Sequence, residues 1–164
     1  MGLPLGPTFA NVFMSYHENN WLDNCSDEIK PIFYKRYMDD CFLIFRKKDQ
    51  AIPFLNYLNA QHPNINFTME CEHNNIISFL DVRLERIDCG VETGVFRKPT
   101  FTGLGMSFFS FTPKSYKLSL IKTLIYRAYH ISSTYKKFHE EIIFLKKYLF
   151  ENGYPEDIFL SNFK

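Results

Sequence analysis

Two adjacent aspartates, Asp39 and Asp40, interrupt a hydrophobic stretch and limit the local fold more than any other feature of the chain. The runs on either side, residues 32–38 and 41–45, are rich in aromatic and β-branched residues, which favour strands. Because neighbouring side chains in a strand point to opposite faces, the pair is best placed at a tight hairpin turn. One or both carboxylates can then face a metal ion. A solvated turn is the alternative, since Asp is common in turns.

Three further segments carry motifs in a fixed order around these aspartates. They are Gly2-Leu3-Pro4-Leu5-Gly6-Pro7-Thr8-Phe9-Ala10-Asn11 upstream, and Phe79-Leu80-Asp81-Val82 and Phe96-Arg97-Lys98-Pro99-Thr100 downstream. Together with Tyr37-Met38-Asp39-Asp40, the ordered set resembles the second half of a reverse transcriptase palm, closest to the Penelope-like retroelement polymerases. The resemblance runs from Met1 to about Pro155.

The resemblance implies an RNA-directed DNA polymerase that uses Mg²⁺, an RNA template, a DNA primer and deoxynucleoside triphosphates. It makes Asp39 and Asp40 the catalytic, metal-binding carboxylates of nucleotidyl transfer. The nucleotide-binding residues that it implies are Gly2, Pro4, Gly6, Pro7, Asn11 and Tyr37.

In this family the active site also needs an aspartate from an earlier strand and a fingers region, both of which belong upstream of Gly2. We therefore expect the chain to be a fragment that is inactive alone, because two-metal transfer needs carboxylates from both strands. A polymerase remnant that binds nucleic acid without chemistry is the alternative. A product that does not fold alone is a third interpretation.

The net charge of +1 conceals a basic segment in the second half of the chain. Residues 95–139 carry eight Lys or Arg and no Asp or Glu, whereas residues 1–94 carry eight and thirteen. Such a segment predicts contact with a nucleic-acid backbone, although a solvated helix face is the ordinary alternative. The predicted nucleic-acid-binding residues are Arg97, Lys98, Lys114, Lys117, Lys122 and Arg127.

Four cysteines, Cys25, Cys41, Cys71 and Cys89, show no zinc-ligand spacing. Cys41 and Cys71 lie in apolar patterns typical of strands, which predicts reduced, buried thiols and an intracellular, reducing location, nuclear or cytoplasmic. No apolar run approaches the roughly 20 residues that a membrane span requires, so we expect no membrane partner.

The periodicity predicts an α+β fold with two regions. The sheet would be antiparallel with helices on one side. The resemblance makes residues 1–103 the C-terminal part of a polymerase palm, including a primer-grip-like hairpin, and residues 104–164 a small helical, thumb-like region. A helix is expected from Pro7 to about Leu22, and a second one after a cap at Asp49.

Strands and late helices follow from the rest of the pattern. Half-buried strands are expected at residues 65–72 and 76–87, and a third strand that reaches Lys98. From Pro113 onward the apolar period becomes helical, and a glycine and a proline after residue 152 end the second of two long helices. A short last helix can follow.

Overall fold

The computed structural model describes residues 5–162. Two predicted nucleotide-binding residues, Gly2 and Pro4, lie outside the described residues. The rest divides into two compact units, the first ending at Cys71 and the second beginning at Glu72. In the described part of the chain there are five α-helices and two small antiparallel sheets, so the predicted α+β class is confirmed.

The first unit begins with the predicted helix, α1 (Gly6–Asp23), which has a proline in its first turn. Strands β1 (Phe33–Tyr37) and β2 (Asp40–Ile44) then form the predicted hairpin, with Tyr37 opposite Asp40. A 3-10 turn (Lys48–Gln50) leads into α2 (Ala51–Asn59). The core of the unit is formed by Trp21, Cys25, Phe54 and Leu58.

The strand predicted at residues 65–72 is wrong, because this segment forms no strand and pairs with none in the structure. Its alternation reflects side-chain packing instead, since Ile65 and Phe67 lie against the core of the first unit. The Asn59 amide bonds both backbone groups of Phe67, donating at 3.1 Å and accepting at 2.7 Å. Cys71, predicted to be buried, is exposed, whereas Cys41 is half-buried.

The second unit begins with a three-stranded meander of β3 (Ile76–Phe79), β4 (Val82–Ile87) and β5 (Gly90–Val95). The single strand predicted for residues 76–87 is therefore two strands. Leu80 has a left-handed backbone with φ of 54°, and the chain reverses there so that Phe79 pairs with Val82.

The second unit continues with the predicted helices, α3 (Lys114–Ile131), α4 (Tyr135–Glu151) and the short α5 (Glu156–Asn162). They share a core formed by Ile121, Ala128, Leu145, Leu149, Tyr154 and Phe159. The structure groups the meander with these helices, whereas the sequence suggested a boundary after residue 103. A division of function at residue 103 stays a prediction.

Candidate nucleic-acid interface

Helix α3 contains no Asp or Glu in its eighteen residues. Its buried side is formed by Lys117, Ile121 and Ala128, which recur every four or seven residues and so share one face. The opposite side consists of residues that are all exposed and carry a hydroxyl, an ammonium or an aromatic group. They are Ser115, Tyr116, Ser119, Lys122, Thr123, Tyr126, Tyr129 and His130.

We call these eight residues the α3 face. A helix on the surface of a protein usually mixes both signs of charge on its exposed side, but carboxylates are missing from this one. Hydroxyl and ammonium groups of this kind are the side-chain donors that contact phosphate oxygens in complexes with nucleic acids. Within the described residues, no ion pair engages Lys122.

Not all of the predicted cations are free to meet phosphate. Arg97 makes two parallel hydrogen bonds to the buried carboxylate of Glu141, one of them at 2.8 Å, and lies 3.7 Å above the Phe144 ring. Lys117 is buried, and its ammonium donates to the Ser110 carbonyl at 2.7 Å. Arg97 thus ties the segment after β5 to α4, and Lys117 ties α3 to the loop that precedes it. The contact of these two cations with phosphate stays a prediction.

The remaining predicted cations lie near or at the surface. Arg127 forms an ion pair with Asp81 at 3.0 Å, across the gap between α3 and the β3–β4 turn. Lys98, Lys114 and Lys122 are exposed. The cations best placed for an external anion are therefore on α3 and in the segment after β5.

The connection between α4 and α5 is a four-residue turn that contains a left-handed glycine. Gly153 has φ of 84°, its amide donates to the Phe150 carbonyl at 2.9 Å, and the Tyr154 amide donates to the Leu149 carbonyl at 3.0 Å. This pair of bonds is the Schellman motif that ends many helices. A short turn with glycine between two helices is also the mark of a helix-turn-helix.

In the first unit, a half-buried network fixes the acidic hairpin to α1. The Glu18 carboxylate accepts hydrogen bonds from Tyr34 Oη and Arg36 Nε, both at 2.7 Å. Arg36 Nη1 also donates to Asn11 Oδ1 at 3.0 Å and to the Met38 carbonyl at 2.8 Å. Burial is the main cause that raises the pKa of the Tyr34 phenol above its usual range.

This network gives Asn11 a structural partner within the chain. Gly6 and Pro7, also predicted to bind nucleotide, form the first turn of α1. Tyr37, at the end of β1, is 55% exposed. Their contact with a nucleotide stays a prediction.

The predicted metal ligands Asp39 and Asp40 lie at the exposed end of this hairpin. Two carboxylates suit a Mg²⁺ ion that takes its other ligands from phosphates and water, but they do not make a complete site. Within residues 5–162, no three His, Cys, Asp or Glu side chains are grouped so that they could hold a metal ion. In the same range, no helix has the length and apolar character needed to cross a bilayer.

Comparison with known families adds one match. Residues 106–164 match the model of the Animal helix-turn-helix domain, which covers α3, α4 and α5 and begins close to the predicted start of the helical region. No curated protein and no solved structure matches the chain. The matched family is not a reverse transcriptase family, so the assignment of the chain to the reverse transcriptases, and to the Penelope-like polymerases in particular, is wrong.

The helices of this region were predictable from the sequence, but the similarity to a helix-turn-helix family was not predicted. The glycine and proline after α4 indicate the end of a helix, and the same residues also fit a turn between two helices. The exposed hydroxyl groups of Ser115, Ser119 and Thr123 were not predicted either. Their helical spacing, in a segment without Asp or Glu, is the signal that could have identified them.

Proposed function

We propose that the helical region of this chain binds DNA through the α3 face. The observation that carries the proposal is an exposed, acid-free helix face within a segment that matches a helix-turn-helix family. Helix-turn-helix domains bind duplex DNA by setting one helix in the major groove while a neighbouring helix crosses the backbone. The donors on α3 suit phosphate contacts, which fix position and supply affinity without reading sequence.

Electrostatics favours α3 over α5 as the helix nearest the phosphates. The first turn of α5 carries Glu156 and Asp157, and the Glu156 carboxylate is paired with Lys146 at 2.6 Å. Carboxylates in the first turn of a helix would repel DNA, whereas the exposed side of α3 carries only neutral groups and cations.

The test is a salt series of duplex DNA binding, measured by fluorescence anisotropy. Lys122→Gln removes one exposed cation of the α3 face, so the slope of log affinity against log salt should fall by about 1. The matched control is Lys147→Gln on α4, whose ammonium lies 3.8 Å from Glu151, and its slope should equal that of the wild type. Binding that ignores salt, or equal losses in both variants, would contradict the proposal.

A second candidate function is Mg²⁺-dependent nucleotidyl transfer on a nucleic-acid substrate, to which this chain would contribute Asp39 and Asp40 within a larger protein. The observation that favours it is the half-buried Arg36 network, which holds the acidic turn beside α1 and so keeps two carboxylates in a fixed place. The test is primer extension in the presence of Mg²⁺ by a protein that contains this chain. Asp39→Asn should abolish it, and an equal rate in the variant would refute this role.

A further inference from the structure

The α3 face ends in a set of aromatic rings that contact one another and remain open to solvent. The Tyr126 and His130 rings lie 3.8 Å apart between centroids with 30° between their planes. The Tyr129 ring meets the edge of His130 at 5.2 Å. Tyr126 and Tyr129 are nevertheless 64% and 68% exposed, so their outer faces are not used by the core.

A backbone contact holds this ring pair in place. His130 Nδ1 donates to the Tyr126 carbonyl oxygen at 2.9 Å, which fixes the imidazole above the phenol one helical turn earlier. The pair is therefore arranged before any ligand arrives, and little side-chain entropy is lost when a flat group stacks on it.

A second pair of the same type begins α4. Tyr135 and His139 are stacked, with centroids 5.9 Å apart and 16° between their planes, and Tyr135 is 79% exposed. Both pairs are a tyrosine followed four residues later by a histidine, on either side of the short α3–α4 connection. The four rings of these two pairs are not part of the shared core of the three helices, which is built from other residues.

We propose that the Tyr126–His130 and Tyr135–His139 pairs stack on unpaired bases of single-stranded nucleic acid. The inference rests on the proposed function, because Lys122 of the α3 face supplies the attraction for the backbone. Single-strand binding surfaces combine a positively charged groove with exposed aromatic rings, on which successive bases stack whatever their sequence. An apolar protein partner is less well matched, since Ser119, Lys122 and Thr123 lie beside the rings.

The two ligands separate the roles of the rings and of Lys122. Bases inside a duplex are already stacked on their neighbours, so stacking on the rings should not help to hold a duplex. A single strand offers both faces of each base. A ring variant outside the α3 face, Tyr135→Ala, should therefore weaken single-strand binding alone, whereas Lys122→Gln should weaken the binding of both ligands.

The experiment uses the full chain with a labelled oligothymidylate and, separately, a labelled duplex, and measures fluorescence anisotropy. Tyr126→Ala and Tyr135→Ala should each lower the affinity for the single strand about fivefold or more. Tyr135→Ala, which lies on α4 outside the α3 face, should leave the affinity for the duplex unchanged. Tyr126→Phe keeps the ring and should keep the affinity for the single strand. Phe150→Ala removes a 73% exposed ring from α4 outside both pairs and should have no effect. Circular dichroism melts check that each variant is folded.

The outcomes distinguish this inference from the function on which it rests. If the wild type binds the duplex but not the single strand, the inference is overturned and the proposed function stands. If the alanine variants bind the single strand as tightly as the wild type, or if Phe150→Ala loses as much as they do, the inference is also overturned. If neither ligand binds, the proposed function itself fails.

Discussion

The Arg36 guanidinium satisfies the buried carboxylate of Glu18 and the backbone of the acidic turn at the same time. Both side chains of this ion pair are only 10% exposed. Removing one member of a buried pair leaves the other charged and desolvated, which costs far more than the pair contributes relative to apolar residues of the same size.

Arg36→Ala should therefore destabilise the first unit by about 3 kcal/mol. The single tryptophan of the chain, Trp21, lies in the core of that unit, so urea unfolding followed by its fluorescence measures the change. The double variant Glu18→Leu with Arg36→Met should recover most of the loss, because no charge is then left buried. Arg46→Ala, at an exposed position of the same unit, serves as the control and should change little.

A double variant that is as unstable as Arg36→Ala would contradict this account of the network. It would mean that Arg36 acts through its contacts with Asn11 and Met38 and not mainly by neutralising the carboxylate.

The turn between α4 and α5 depends on a glycine for two reasons. Gly153 has a left-handed backbone, and a Cβ placed there would lie 2.7 Å from the Phe109 ring. Gly103 also has a left-handed backbone, with φ of 74°, but nothing would lie within 4 Å of its Cβ. Substitutions at these two glycines therefore separate the cost of backbone strain from the cost of a steric clash.

Gly103→Ala should cost about 1 kcal/mol from backbone strain alone, and Gly153→Ala should cost more. Thermal unfolding by circular dichroism gives both values. Equal losses in the two variants would show that the Phe109 ring moves aside without cost.

Helix α4 is tied to strand β4 by an ion pair that depends on pH. Lys137 Nζ lies 2.9 Å from Glu85 Oε2, and this hydrogen bond and the lysine charge lower the pKa of Glu85. Because the folded-state pKa is lowered, the pair stabilises the protein at a pH above the ordinary Glu pKa. That contribution is lost as the pH falls through the folded value.

Lys137→Met should therefore lower the melting temperature at neutral pH. Between neutral and acid pH, the melting temperature of this variant should fall less than that of the wild type. Melting temperatures measured across the acid range test this, with Lys114→Met as the control at an exposed position. An unchanged pH profile in Lys137→Met would contradict the role of the pair.

The helices were predictable from sequence because apolar residues recur at helical spacing and the stop signals of α4 are explicit. The β3–β4 hairpin was not, since Leu80 is a residue type that rarely adopts φ above zero and Asp81 alone is a weak turn signal. The partners of Arg97 and Lys117 inside the protein could not be predicted from the sequence either. Their contacts, Glu141 and the Ser110 carbonyl, depend on tertiary packing, and a count of charges along the chain cannot separate a buried cation from an exposed one.

The chain as a whole exposes much apolar surface on its first helix. Leu5, Phe9, Val12 and Tyr16 of this region are between 63% and 68% exposed. Their spacing places them on one side of the helix, and contiguous apolar surface of this kind promotes association between molecules.

Phe9→Lys with Val12→Lys should raise the solubility of the chain and leave the Trp21-monitored unfolding midpoint unchanged. Light scattering against concentration, together with urea unfolding, measures both quantities. A lowered midpoint would show that these side chains are buried in solution.

The proposed function depends most on the α3 face as the part of the molecule that contacts nucleic acid. Amide chemical-shift mapping of the ¹⁵N-labelled chain with a short DNA duplex tests this directly. We expect the largest changes on Ser119, Lys122 and Thr123 of α3, and we expect them to fade as salt is added. Changes concentrated on α5 or in the first unit, with α3 unperturbed, would contradict it.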